Sequence, residues 1–168
     1  PASKSFAQRA IFAAALADGT SHLDGYSPGG DSEAAIKLAE AIGASVESGT
    51  SLTIKGIGAG CGSIGVDSVN TGESGLLTRL AIPVLAAIDK EPFTVNGEGT
   101  LLKRPLNSAA DIMASFGVLL SNSQESSRQE SRELFVPVKS RGQLIPGTAD
   151  IPGKDGSQLI SGLLMALP

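Results

Sequence analysis

The sequence predicts an α/β (α+β) domain made of repeated helix-and-strand units. Three observations carry this. Some stretches place apolar residues at helical spacing, while others are short β-rich runs bounded by glycine. One order of elements, helix–strand–helix–strand–strand, occurs twice. Two helices are apolar nearly all round, which puts them inside the fold and the sheets outside.

The first helix is expected from Ser5 to Ala17, where Phe6, Ala10, Ile11, Ala14 and Leu16 form a broad apolar surface. Thr20–Leu23 reads as a short strand. Asp31 is expected to cap a second helix through Ala41, carrying Ala34, Ile36, Leu38 and Ile42, and Gly43 ends it. Strands follow around Ala44–Glu47 and Ser51–Lys55. The order then recurs. A strand near Gly65–Val69 leads to a helix from Ser74 to Asp89, then a strand at Phe93–Asn96. A helix from Leu106 to Phe116 stops at Gly117, and strands follow around Val118–Ser121 and Leu134–Lys139. Leu38–Gly43 and Ile112–Gly117 close their helices alike, on a large apolar residue and then glycine. A third copy is expected to start with a strand at Ala149–Ile151 and a helix at Ser157–Leu167. The chain thus divides into repeat one (about 1–60), repeat two (about 61–140) and a partial repeat three (about 141–168). The polar stretch Asn122–Arg132 reads as a mobile hairpin loop.

Leu76–Ile88 has Arg79 as its only charge and Leu159–Leu167 has none, so both helices are expected to be buried. Pro83 is expected to kink the first of them. With aromatics at 4% and no Trp, the core must come from Ala, Leu, Ile and Val. A net charge of -4 with scattered cations argues against a nucleic-acid surface. One cysteine excludes an internal disulfide and a cysteine metal cluster, and no apolar run is long enough to span a membrane. A cytoplasmic protein with no metal or cofactor is expected. Starting at Pro1 and stopping at Pro168, the chain reads as a fragment of a longer protein.

The chemistry is concentrated where helices begin. Ser3-Lys4-Ser5 opens the first helix and Arg9 lies one turn on. A helix N-terminus offers unpaired N–H groups and partial positive charge, so hydroxyls and cations there suit a phosphate or carboxylate. Gly72-Glu73-Ser74-Gly75 and Asp155-Gly156-Ser157-Gln158 open the second and third repeats' helices with similar small polar residues. If these helices run side by side, their N-termini converge on one anion site. The ordinary alternative is that serine and glycine merely cap buried helices. Arg104, before Pro105, is either an anion clamp or a solvated loop arginine, and Lys103 beside it reads as solvated.

Three other features are set aside. Gly60, Gly62 and Gly65 fit a dinucleotide fingerprint, but a strand rather than a helix is expected after them. Gly147 to Lys154 imitates a phosphate loop with the wrong spacing and no hydroxyl after the lysine. His22 and Cys61 have no implied catalytic partner.

Ser3-Lys4-Ser5 with Arg9, the run Asn96-Gly97-Glu98-Gly99-Thr100-Leu101-Leu102-Lys103-Arg104-Pro105, and Ser157-Gln158 before Ser161–Met165 strongly resemble the 5-enolpyruvylshikimate-3-phosphate synthase family. The resemblance covers essentially the whole chain. It implies one domain of an inside-out α/β barrel, with βαβαββ units, buried parallel helices and outer sheets. The second domain would be absent from this chain, and the site would lie in the cleft between the two. The implied reaction moves the enolpyruvyl group of phosphoenolpyruvate to the 5-hydroxyl of shikimate 3-phosphate, through a tetrahedral intermediate and without metal or cofactor. Lys4 and Gln158 would contact both substrates at the reacting centre. Ser5, Arg9, Gly156 and Ser157 would bind shikimate 3-phosphate, Arg9 through the carboxylate. Gly75 and Arg104 would hold phosphoenolpyruvate, where glyphosate competes in this family, with Asp31 and Arg79 supporting. The family usually has Asn at Glu73, Thr at Leu76 and Ser at Gly156. A carboxylate at 73 is unfavourable beside an anion unless a cation such as Lys4 or Arg79 pairs with it. The related UDP-N-acetylglucosamine enolpyruvyl transferases usually open with Lys-Asn and carry a reactive loop cysteine, which Lys4-Ser5 and the position of Cys61 do not match. A non-catalytic anion-binding module is the alternative from another class.

Overall fold

A computed structural model describes residues 3–58, 65–106, 108–123, 133–153 and 157–167. Helix α1 (Lys4–Leu16) starts at Ser3, whose Oγ accepts from the Phe6 N–H at 3.3 Å. It turns Ala7, Ile11, Phe12, Ala14 and Ala15 inward. Strand β1 (Thr20–Asp24), helix α2 (Gly30–Ala41) and strands β2 (Ser45–Ser48) and β3 (Ser51–Lys55) follow. The three strands form an antiparallel sheet in the order β1-β3-β2, with His22 opposite Thr53. Next come β4 (Ser68–Asn70), α3 (Gly75–Ile88), β5 (Phe93–Asn96), a 3-10 turn (Gly99–Lys103), α4 (Ala109–Ala114), β6 (Leu119–Asn122) and β7 (Val138–Arg141). Their sheet runs β4-β5-β7-β6, with β4 and β5 parallel. In both sheets the last strand inserts between the two before it. Helix α5 (Gln158–Ala166) closes the described chain.

Alternating strand residues face inward, as half-buried sheets require. Leu52 and Ile54 of β3, Phe93 and Val95 of β5, and Val138 of β7 are all buried. Helix α3 packs against β5 and β7 of the second sheet and against α1 and α5, with Leu77, Leu80, Ala81, Ile82, Leu85 and Ala86 at zero exposure. The helix ends at Gly43 and Gly117 share one geometry. Both glycines have positive φ, 103° and 81°. The next N–H reaches back five residues, Ala44 to the Ala39 carbonyl and Val118 to that of Met113. This closure satisfies carbonyls the helix leaves open, and it needs the left-handed residue that glycine supplies.

Several sequence expectations are corrected. The cap of α2 is Gly29, and Asp31 lies inside the first turn with Glu33, where their charge meets the helix's positive end. Helix α4 starts at Ala109, because the Leu106 N–H bonds the Leu134 carbonyl at 2.8 Å and holds the backbone out of the helix. The same bond, with Phe135 N–H to Asn122 Oδ1, takes residues 134–135 out of the ladder, so β7 begins at Val138. Pairing of β4 with β5 starts only at Ser68. Residues 149–151 form no strand. Ala149 and Ile151 still lean on the core, but no described strand pairs with them. Helix α5 is buried only at Leu159, Gly162 and Leu163, and Leu164 is 73% exposed, because α5 packs chiefly along α3. The Gly60–Gly62 motif, Cys61, Lys154 and most of the 122–132 loop lie outside the described residues. The first described element after the glycine stretch is strand β4, as expected, and not a helix.

Candidate active site

Two helix N-termini meet through one buried side chain. Ser74 caps α3 by accepting from the Leu77 N–H at 3.1 Å. The Ser74 hydroxyl donates to Gln8 Oε1, and Gln8 Nε2 donates to the Lys4 carbonyl at 3.3 Å. Gln8 is only 2% exposed. Both ends of its amide are therefore used, one on each helix, which is what burial of an amide demands. The arrangement places the first turn of α1 beside the start of α3. Behind it, Thr71 and Thr78 are fully buried with hydroxyls 2.7 Å apart, and Thr71 Oγ1 donates onward to the Asn96 carbonyl.

The loop 96–105 is tied to the same point. The Glu98 N–H bonds the Gly72 carbonyl at 2.8 Å, Asn70 Nδ2 donates to Glu98 Oε1 at 2.7 Å, and Asn70 Oδ1 accepts from the Gly72 N–H. Arg79 Nη1 donates to the Gly75 carbonyl and Nη2 to the Pro105 carbonyl, at 3.0 and 2.9 Å. A Cβ on Gly75 would come within 3.1 Å of that guanidinium. Arg79 thus fastens the start of α3 to the residue after Arg104.

Glu73 is held by Thr100, whose N–H and Oγ1–H both donate to Glu73 Oε2, at 2.9 and 3.0 Å. Arg104 Nη2 in turn donates to Thr100 Oγ1 at 2.9 Å. The two Thr100 bonds, and then the Arg104 charge, hold the Glu73 carboxyl below its ordinary value. This corrects the expectation of Lys4 or Arg79 as the compensating cation, because residues 99–104 fold back over Glu73.

Lys4 and Asp31 line one open cleft with Lys37, Asn70, Glu73 and Glu98. Its wall is richer in carboxylates than in cations, and Gly75, Arg79 and Arg104 are not part of it. Arg9 turns back on the Ser5 carbonyl at 3.1 Å, and Ser5 is exposed. Ser157 stands at the N-cap position of α5 with no side-chain capping bond, and its carbonyl accepts from the Ser161 hydroxyl. Gln158 is half-buried at the first position of α5. Helix α5 crosses α3 so closely that a Cβ on Gly162 would meet the Arg79 carbonyl at 2.6 Å. Gly156 lies outside the described residues. The structure thus links the Lys4 backbone, through Gln8 and Ser74, to the start of α3, where Arg79 holds Gly75 and Pro105, and it gives Ser157 and Gln158 no described bond there. His22 is exposed, with Nδ1 3.1 Å from its cross-strand neighbour Thr53. Sequence reasoning missed Gln8 and the full use of Thr100. Nothing local marked either the link through Gln8 or the pairing of Thr100 with Glu73.

The family model for EPSP synthase (3-phosphoshikimate 1-carboxyvinyltransferase) matches residues 1–168. The chain belongs to the EPSP synthase family. The 3-phosphoshikimate 1-carboxyvinyltransferase of Clostridium kluyveri is 34% identical over 169 residues, covering 100% of this chain and 37% of that protein. The Nitrosopumilus maritimus protein of the same name is 32% identical over 168 residues, with the same two coverages. A solved EPSP synthase from Acinetobacter baumannii matches with a TM-score of 0.79 at 26% identity, over 99% of this chain and 36% of that one. The chain therefore spans little more than a third of its EPSP synthase relatives. Among the described residues no helix is long and apolar enough to cross a membrane, and no group of His, Cys, Asp and Glu could hold a metal.

Proposed function

We propose that this chain supplies one wall of an EPSP synthase active site, with repeats at about 1–60 and 61–140 and the start of a third at about 141–168. The whole protein would transfer the enolpyruvyl group of phosphoenolpyruvate to the 5-hydroxyl of shikimate 3-phosphate. What carries the reading is the family match across the entire chain. The juxtaposed starts of α1 and α3 support it, because two helix N-termini brought together carry partial positive charge to one place.

The 5-hydroxyl adds to C2 of phosphoenolpyruvate while C3 takes a proton, giving a tetrahedral adduct. Loss of phosphate from C2 and of a proton from C3 then restores the double bond. Charge moves onto the departing phosphate, so cations fixed in advance lower the barrier. Arg104 and the Gly75 N–H would hold that phosphate, with Arg79 fixing both in place. Lys4 would lie between the two substrates, joined at the reacting centre by Gln158. Ser5, Arg9, Ser157 and Gly156 would hold shikimate 3-phosphate, with Asp31 on the cleft wall. The missing second domain would close the site and supply the remaining groups.

Calorimetric titration of shikimate 3-phosphate into the full-length protein tests this. Lys4→Ala and Arg9→Ala should each weaken binding by at least about tenfold, as loss of a charge-assisted bond does. Binding untouched by both substitutions would refute the placement, and absence of turnover by the full-length protein would refute the activity.

A further inference from the structure

Glu73, just before α3, meets Gly99, Thr100 and Arg104 from a run well further along the chain. A threonine hydroxyl has one proton to give. At Thr100 that proton goes to Glu73 Oε2, which leaves the oxygen as an acceptor, and Arg104 Nη2 donates to it. The Thr100 N–H bonds the same carboxylate oxygen, and turning the hydroxyl away would break its bonds to both Glu73 and Arg104. Gly99 makes room for this. Its φ is +53°, and a Cβ there would land on the Glu73 carboxylate. Among the described residues, Thr100 is the one hydrogen-bond partner of the Arg104 guanidinium. The residue is exposed, so its other N–H groups are open to solvent.

We propose that Glu73 is a positioning residue, aiming Arg104 through Thr100 so that the site's affinity for the phosphate of its ligand depends on a carboxylate that touches no ligand. The proposal rests on the reading of Arg104 as a ligand cation. A simpler role for Glu73, as a negative charge that repels the anion, predicts the opposite sign. Removing a repelling charge tightens binding, whereas removing an anchor loosens it.

The test uses the full-length protein and two readouts. One is KM and kcat for phosphoenolpyruvate at saturating shikimate 3-phosphate. The other is direct affinity for inorganic phosphate, which needs no turnover. Glu73→Ala and Thr100→Val should each raise the phosphoenolpyruvate KM and weaken phosphate binding by about tenfold, the scale of one charge-assisted bond. Thr100→Ser should stay within about twofold of wild type, because the hydroxyl is kept. The double variant should be no worse than either single one, since both cut the same chain. The KM for shikimate 3-phosphate should not move. Tighter phosphate binding in Glu73→Ala, strictly additive losses, or equal shifts in both substrates' KM would each overturn the proposal. Turnover that is indifferent to Thr100→Val sinks the positioning role alone. Phosphate binding that depends on Thr100, in a protein without turnover, sinks the activity and keeps the positioning role. Neither binding nor turnover sinks both.

Discussion

Glu73 shows how one side chain can look wrong in a sequence and be accommodated in a structure. Its carboxylate is exposed, so its bonds to Thr100 act mainly through geometry. Because the folded form holds this carboxyl below its ordinary value of 4.5, the bonds favour the native state above that pH. That contribution is lost as pH falls from the unfolded value through the lower folded one. Glu73→Gln should therefore show a shallower fall of Tm with pH below about 4.5, read by thermal melts across the acid range. Gly99→Ala should destabilise by at least about 1 kcal/mol, since it adds left-handed strain to a clash with the same carboxylate. Part of that loss should return in a Glu73→Ala background, where the clash is gone. Gln8 matters for a different reason. Gln8→Leu would leave the Ser74 hydroxyl without its acceptor in a buried place, costing about 1–3 kcal/mol in denaturant unfolding.

At the scale of elements, α3 and α5 separate what looks alike in sequence. Both read as uniformly apolar. Helix α3 has α1, α5, β5 and β7 around it, while α5 leaves Leu164 at 73% exposure. Their crossing depends on Gly162, which lets the Arg79 carbonyl and the Pro83 ring approach. Gly162→Val should cost about 1–3 kcal/mol by overpacking and should also loosen Arg79, which fastens the Arg104 loop. A parallel drop in Tm and in affinity for phosphoenolpyruvate would show that the crossing supports the site. Lower Tm with unchanged affinity would show that it does not.

For the whole molecule, the decisive fact is length, since the relatives are nearly three times as long as the matched region. Expressed alone, residues 1–168 should show no measurable turnover, because on the proposed reading the chain supplies only one wall of the site. Phe6 and Leu164, each 73% exposed, and Leu119 at 65% would then face water. The isolated segment should self-associate in sedimentation runs, and Leu164→Ser should reduce this. A monodisperse, inactive segment would locate the covering surface elsewhere.

The sequence by itself determined the order of helices and strands as far as β7, the glycine stops at 43 and 117, and the family. These depend on local backbone preference, on spacing along a helix, or on short motifs, all of which are written in neighbouring residues. The tertiary structure alone decided that Leu106 leaves its helix for Leu134, that residues 149–151 stay unpaired, and that α5 is open on one side. It also decided that Glu73 answers to Thr100 rather than to Lys4 or Arg79, and that Gln8 joins two helix starts. Each of these is a bond or a packing surface shared by segments distant in the chain. Whether a backbone group stays in a ladder or a carboxylate finds a donor is set by what the rest of the fold brings beside it, and no local pattern carries that information.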